Sequence, residues 1–170
     1  MRIAEAVSRH GAGLILMHRR GTPKTMQEQT HYQNVTEDVL AQLQVILKKA
    51  RDWGIDHEQL VADPGFGFSK TAEQSLELLT NFEQFKSLGR PVLAGVSRKS
   101  FLGSLTGKPA AQRDWATAAA VAVAVQKGAG IVRVHAPSEM RDVVRVAERL
   151  RGEAAHRVAP TFIGEKNVRS

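Results

Sequence analysis

Cysteine is missing from all 170 residues. That excludes disulfides, thiolate catalysis and cysteine-ligated zinc, and it suits a reducing cytoplasm, the expected compartment. Long apolar runs are also missing. The longest, Ala118 to Val125, is far too short to span a bilayer, and the opening MRIAEAVSRHGAG lacks the apolar core of a signal peptide. No membrane partner is expected. Aromatic residues make up only 5% of the chain. A nucleic-acid surface would interleave aromatics with its basic residues. In the basic C-terminal stretch only Phe162 is nearby, so no nucleic-acid partner is expected.

What remains is an ordinary globular composition, 42% apolar and 24% charged. The length allows one domain with a real core. That domain is expected over residues 1–150, with 151–170 as a weakly ordered tail. The net charge of +7 and a pI near 10.1 favour anionic partners without choosing among them. Arg141, Arg145 and Arg149, at spacing four, read as the solvated outer face of a helix.

The pattern alternates along the chain. Residues 2–10 are expected to be helical and to stop at Gly11. Residues 14–18 form a strand, and GTPK at 21–24 is a turn. A helix runs from Asn34 to Trp53 on the stripe Val35, Val39, Leu43, Ile46 and Leu47. Leu60 to Asp63 is a strand, followed by the glycine-rich loop PGFGFSKT. A helix over 72–88 buries Leu76, Leu79, Phe82 and Phe85. Strand 91–97 follows, then a loop with Gly103, Gly107 and Pro109. Residues 113–127 read as a well-buried alanine-rich helix, 130–135 as a strand, and 137–150 as a helix with Pro137 in its first turn. The order is α, then β-α four times. Crossover helices make the strands parallel. Strand ends lie roughly 35 to 45 residues apart, normal for βα units. Four units make either a small open sheet or half of an eight-unit barrel, and a first helix without a preceding strand points to part of something larger.

Each apolar run hands over to polar groups at its C-terminal end, which is where parallel α/β proteins build ligand sites. Asp63 ends its strand too far from the next helix to cap it. Its carboxylate can accept two parallel N–H bonds from an amidine-like edge, such as that of a pterin or guanine. PVLAGVSRKSF ends in Ser97, Arg98, Lys99 and Ser100. Lys99 pairs with Asp63, donates to the ring that Asp63 holds, or does both, paired when the site is empty and split by the ligand when it is full. Arg133 and His135, two apart on one strand, share a face and with Arg98 or Lys99 suit a phosphate or diphosphate. GFGFSKT lacks the spacing of a P-loop. Phe66 and Phe68 are expected to wall a flat ligand, with Lys70 reaching the site or solvent. Met17 and His18 either line the same pocket or pack in the core.

Taken together, LMHRRGTPKTMQ, DPGFGFSKT, LAGVSRKSFLG and IVRVH resemble the C-terminal part of the dihydropteroate synthase family over residues 1 to about 150. The resemblance implies an α/β fold, the C-terminal half of a TIM-type (βα)8 barrel. It implies a cytoplasmic transferase of folate biosynthesis and sulfonamide target, joining 6-hydroxymethyl-7,8-dihydropterin diphosphate to p-aminobenzoate with release of diphosphate. It assigns the pterin to Asp63, Lys99, Phe68, Gly95 and Met17, and the diphosphate to Arg98, Arg133 and His135. Ser100, with Phe68, is assigned to p-aminobenzoate. Lys99, Arg133 and His135 would carry the catalysis. Arg19 and Ala136-Pro137 depart from the family's usual residues.

The family's N-V-T-P-D-S-F, G-G-x-S-T-R-P-G, S-I-D-T and N-D-I segments are absent. They supply the Mg2+-binding asparagine and much of the p-aminobenzoate site. Mg2+ is therefore expected to have no ligand in this chain. Activity is expected to need a homodimer or a barrel-completing partner. The alternatives are a non-catalytic pterin- and diphosphate-binding or interaction fragment, and a related pterin-binding methyltransferase.

Overall fold

A computed structural model describes residues 2–152. The expected tail over 151–170 lies almost wholly outside them. Helix α1 (Arg2–His10) leads into strand β1 (Leu14–Met17). Helix α2 (Val35–Asp52) precedes β2 (Leu60–Asp63), and α3 (Ala72–Thr80) precedes β3 (Leu93–Ala94). Helices α4 (Ser100–Thr106) and α5 (Asp114–Gln126), strand β4 (Ile131–Val132) and helix α6 (Pro137–Leu150) complete the described order.

The strands lie side by side in chain order, all parallel. Met17 sits opposite Asp63, Ala62 bridges to Val92, and Leu93 sits opposite Ile131. Parallel strands in sequence order, each followed by a helix, form an arc of a (βα)8 barrel. Leu60 and Ala62 face the helices and are fully buried, against the wall that Val39, Leu43 and Leu47 of α2 help to build. Ile15, on the opposite face of β1, is 37% exposed. Asn34 starts α2 by accepting the Glu37 amide (3.1 Å), and Thr71 starts α3 in a reciprocal capping box with Gln74.

Several features depart from the sequence reading. The expected helix 72–88 ends at Thr80, and 82–88 tightens into a 3-10 helix. A 3-10 helix brings residues three apart onto one side, and Phe82, Phe85 and Leu88 have that spacing and are all buried. Leu78 takes the fully buried place expected for Leu76. The strands expected over 91–97 and 130–135 keep only short ladders, because Pro91 has no N–H to give and, after a last bond from the Arg133 amide to the Ala94 carbonyl (3.1 Å), the His135 amide turns to Ser97 Oγ. Gly103 lies inside α4 rather than in a loop. It is small because the Arg113 guanidinium occupies the space a Cβ would need. Finally, α5 is not buried all round: Trp115 is 84% exposed and Val123 40%.

Candidate functional site

The C-terminal ends of β1 to β4 bring the chemistry together. Asp63 is fully buried at the end of β2. Its Oδ1 accepts the Gly65 amide at 2.8 Å, and its Oδ2 accepts from Arg133 at 3.0 Å. Burial pushes its carboxyl above the ordinary value, while the Gly65 N–H and the Arg133 charge oppose that rise. Arg133 reaches Asp63 across Gly95. A Cβ at 95 would lie 2.7 Å from an Arg133 terminal nitrogen, so glycine there keeps the crossing open.

Asp63 thus has Arg133 as its ion-pair partner, in place of the Lys99 pairing considered from the sequence. The reason is reach: Arg133 projects over the flat backbone at Gly95, whereas the Lys99 ammonium lies over the Phe68 ring, 4.2 Å from its centre. Burial and the Arg133 charge lower the Lys99 ammonium, and Asp63 opposes them. Met17 is half-buried opposite Asp63, and its Cγ would be 3.4 Å from a Cβ placed at Gly65.

The two phenylalanines of the glycine-rich loop part company. Phe68 stays half-buried at the mouth. Phe66, expected beside it as a ligand wall, is 1% exposed and packs between Phe82 and Phe101, with both centroids 6.1 Å away. A turn separates the two rings. Phe68 N–H donates to the Gly65 carbonyl (3.1 Å), and Gly67, at the third position of that turn, has φ +74°. A type II turn requires a positive φ there.

Arg98 does not present a free fork to an anion. It holds Asp114 by two bonds, Nε to Oδ1 at 2.7 Å and a terminal nitrogen to Oδ2 at 2.9 Å. That pairing raises the Arg98 pKa and lowers the Asp114 carboxyl. His135 is exposed. Its amide donates to Ser97 Oγ (3.2 Å), and its Nδ1 lies 2.8 Å from the same hydroxyl. Ser100 is exposed at the first position of α4. The structure therefore gathers Met17, Asp63, Phe68, Gly95, Lys99 and Arg133. It places Ser97 with His135 beside them and ties Arg98 to α5.

Two supports of this site, Arg113 and Thr117, lie in no motif of the sequence, and the supporting role of His18 and Lys70 is not shown by the motifs that contain them. Arg98 has φ +55°. Its amide donates to Thr117 Oγ1 (3.0 Å), and its carbonyl and that of Lys99 accept from Arg113 at 3.0 and 3.2 Å. Behind the glycine-rich loop, His18 and Lys70 are buried together, with Nζ 3.0 Å from His18 Nδ1. His18 therefore belongs to a polar cluster rather than to an apolar core, and Lys70 reaches neither ligand space nor solvent. Burial, then the Lys70 and Arg20 charges, depress His18 to about 4, against the bond that His18 gives to Gln42 Oε1. Burial likewise lowers Lys70 to about 7.

The two carboxylates at the mouth, Asp63 and Asp114, are both engaged by arginines. Among the described residues no group of three His, Asp or Glu side chains could hold a metal ion. No described helix is long and apolar enough to cross a membrane.

A family model described as pterin binding enzyme matches residues 1–135. Dihydropteroate synthase of Haemophilus influenzae is 45% identical over 131 residues, covering 77% of this chain and 48% of that protein. The Synechocystis dihydropteroate synthase is 41% identical over 149 residues, covering 87% of this chain and 52% of that protein. The chain spans about half the length of these curated relatives. Among solved structures, Thermus thermophilus dihydropteroate synthase in complex with 6HMPPP is similar at a TM-score of 0.83 and 37% identity, covering 89% of this chain and 60% of that one. The Yersinia pestis enzyme with a sulfonamide drug complex gives 0.83 at 33% identity, covering 87% and 54%.

Proposed function

Because this chain belongs to the pterin-binding enzyme family, we propose that it forms the pterin- and diphosphate-holding wall of a dihydropteroate synthase. The supporting observation is the buried Asp63 carboxylate, held ready by Gly65 and Arg133 beside the Lys99–Phe68 pair. A pterin presents two N–H donors from its N–C–NH2 edge, and a buried carboxylate accepts such a pair well. Lys99 donates to the ring's acceptor edge, Phe68 and Met17 pack on its faces, and Gly95 leaves room for it.

In this reading the ring's donors replace Arg133 at Asp63. The freed guanidinium then turns to the diphosphate with His135. The bond from the pterin methylene carbon to the diphosphate oxygen breaks, and both electrons leave with diphosphate. The p-aminobenzoate nitrogen then attacks the methylene cation and gives up a proton. The cations stabilise the leaving charge, which is an electrostatic role that needs no nucleophile. Arg98 joins them only by letting go of Asp114. Ser100 at the start of α4 meets the p-aminobenzoate carboxylate, and a sulfonamide would compete there.

Mg2+ would take its ligand from outside this chain. Catalysis takes a second copy of this chain or a barrel-completing chain, whose contact would cover the exposed β face at Ile15. The cytoplasm is the compartment assigned.

Calorimetry with 6-hydroxymethyl-7,8-dihydropterin diphosphate should show saturable binding to the purified chain, lost in Asp63→Ala. No binding by the wild-type chain would overturn this reading. A dihydropteroate assay with added p-aminobenzoate then separates binding from turnover.

A further inference from the structure

The Lys70 ammonium is 3% exposed and has three acceptors for its three protons. They are His18 Nδ1 at 3.0 Å, the Gly65 carbonyl at 3.1 Å and the Phe68 carbonyl at 2.9 Å. His18 Nε2 faces Gln42 Oε1 at 3.0 Å. The ring's Nδ1 is thereby left as the acceptor, with its proton on Nε2. Two of the three acceptors are main-chain groups of the loop that carries the ligand-facing residues. Gly65 receives Lys70 on its carbonyl and gives its amide to Asp63 Oδ1 (2.8 Å). One glycine thus links the ammonium to the recognising carboxylate. The Phe68 carbonyl also accepts the Ser69 hydroxyl (2.6 Å), and Ser69 has φ +51°. The peptide that follows the Phe68 ring is therefore pinned from two sides.

We propose that Lys70 is a positioning residue for pterin binding: its three N–H groups fix the Gly65 and Phe68 carbonyls and, through those residues, set the Asp63 carboxylate and the Phe68 ring. The inference rests on the pterin-site reading above. Lys70 touches no ligand in it. A core lysine that merely fills space would need no such acceptors, because a buried ammonium would shed its proton. Here loss of the proton leaves two N–H groups for three acceptors, so the loop loses a tether as the amine titrates. The charged and titratable groups around it are His18, Asp63 and Arg20.

Three measurements test this. In the wild-type chain, NMR should show the carbonyl carbons of Gly65 and Phe68 moving with the same midpoint as Lys70 Cε, near pH 7. Lys70→Met should keep the far-UV circular dichroism of the wild type. It should bind 6-hydroxymethylpterin about tenfold more weakly, the scale of one lost charge-assisted hydrogen bond. Because the chain has no cysteine, Lys70→Cys alkylated with 2-bromoethylamine restores an ammonium at this position alone. It should recover binding to within about threefold of wild type. Unchanged affinity in Lys70→Met, or carbonyls that ignore the Lys70 titration, overturns the proposal. Should the wild-type chain not bind 6-hydroxymethylpterin, the pterin-site reading fails, and the carbonyl titration alone decides the role of Lys70 in the loop. The same titration decides it if the variants do not fold.

Discussion

Phe66 and Phe68 stand two residues apart on one loop, yet the structure gives them opposite work, and truncating each in turn separates the roles. Phe66 is 1% exposed and stacks with both Phe82 and Phe101. Removing its ring forfeits about 2–3 kcal/mol of apolar burial and roughly 0.5–1.5 kcal/mol for an aromatic pair. It also leaves a cavity, so Phe66→Ala should cost about 3–5 kcal/mol. Against a total stability of about 5–15 kcal/mol, that is a large fraction. It corresponds to a fall in Tm of roughly 10 °C for a chain of this size. Phe68 is half-buried and its specific partner is the Lys99 ammonium, a contact worth about 0.5–1 kcal/mol when partly exposed. Phe68→Ala should therefore cost less than about 1 kcal/mol in urea unfolding, with an unchanged m-value, while weakening pterin binding. Equal stability losses in the two variants would refute the division of labour, as would a loss below about 1.5 kcal/mol for Phe66→Ala.

Further substitutions and a titration probe the rest of the site. Gly95→Ala puts a methyl group 2.7 Å from the Arg133 guanidinium. Asp63 is buried and should lose its partner, so stability should fall by about 1–3 kcal/mol, and pterin affinity should fall by calorimetry because the methyl group takes room the ring needs. Wild-type affinity in this variant would mean that the ring does not need the room left at Gly95. Arg113→Ala removes the donor to the Arg98, Lys99 and Lys108 carbonyls. Hydrogen exchange around residues 98–108 should speed up, with a loss of about 1–3 kcal/mol; undisturbed exchange there would sink the idea. His18, lowered from 6.5 to about 4, binds its proton less readily folded than unfolded. Stability present above pH 6.5 should thus be lost as pH falls from 6.5 through about 4, by roughly 3 kcal/mol. A His18 Cε1 proton titrating near 6.5 in NMR would show that the ring is not held neutral.

Much of this fold is legible because helix and strand patterns are local. The i, i+4 stripe of α2, the capping residues Asn34 and Thr71, and the apolar run LVAD each predict an element that the structure contains. Asp63, Lys99 and Arg133 are legible as neighbours because parallel strands bring the polar groups at their C-terminal ends to one rim, and the structure gathers all three there. The pairings are not legible. Arg133 lies 70 residues from Asp63, and nothing in the spacing says that it, rather than Lys99, closes the ion pair. Nor can the alternation of GFGF say which ring turns inward. That depends on Phe101 and Phe82 offering faces to one of them. Trp115 escapes for a related reason. An alanine-rich helix with no polar face reads as buried all round, and its one exposed stripe depends on what the neighbouring helices leave uncovered.

The supports are illegible for a deeper reason. Past the last bond between β3 and β4, from the Arg133 amide to the Ala94 carbonyl, the backbone groups that follow need other partners, since an unpaired buried amide or carbonyl is costly. The partners are side chains. Arg113 serves the carbonyls of 98 and 99, Thr117 the amide of 98, and Ser97 the amide of 135. Lys70 serves the carbonyls of 65 and 68, and Ser69 the amide of Arg20. Each replaces a repeating ladder bond with a single bond of fixed direction. A strand continued through 97 would have pointed its side chains alternately up and down. Ending it early, and pinning the backbone from the side, lets Lys99 follow a left-handed residue at 98 and lie over Phe68. The geometry of the site therefore depends on side chains that never face the ligand space, and substitutions at Arg113, Thr117 or Lys70 should alter binding as surely as substitutions at Asp63.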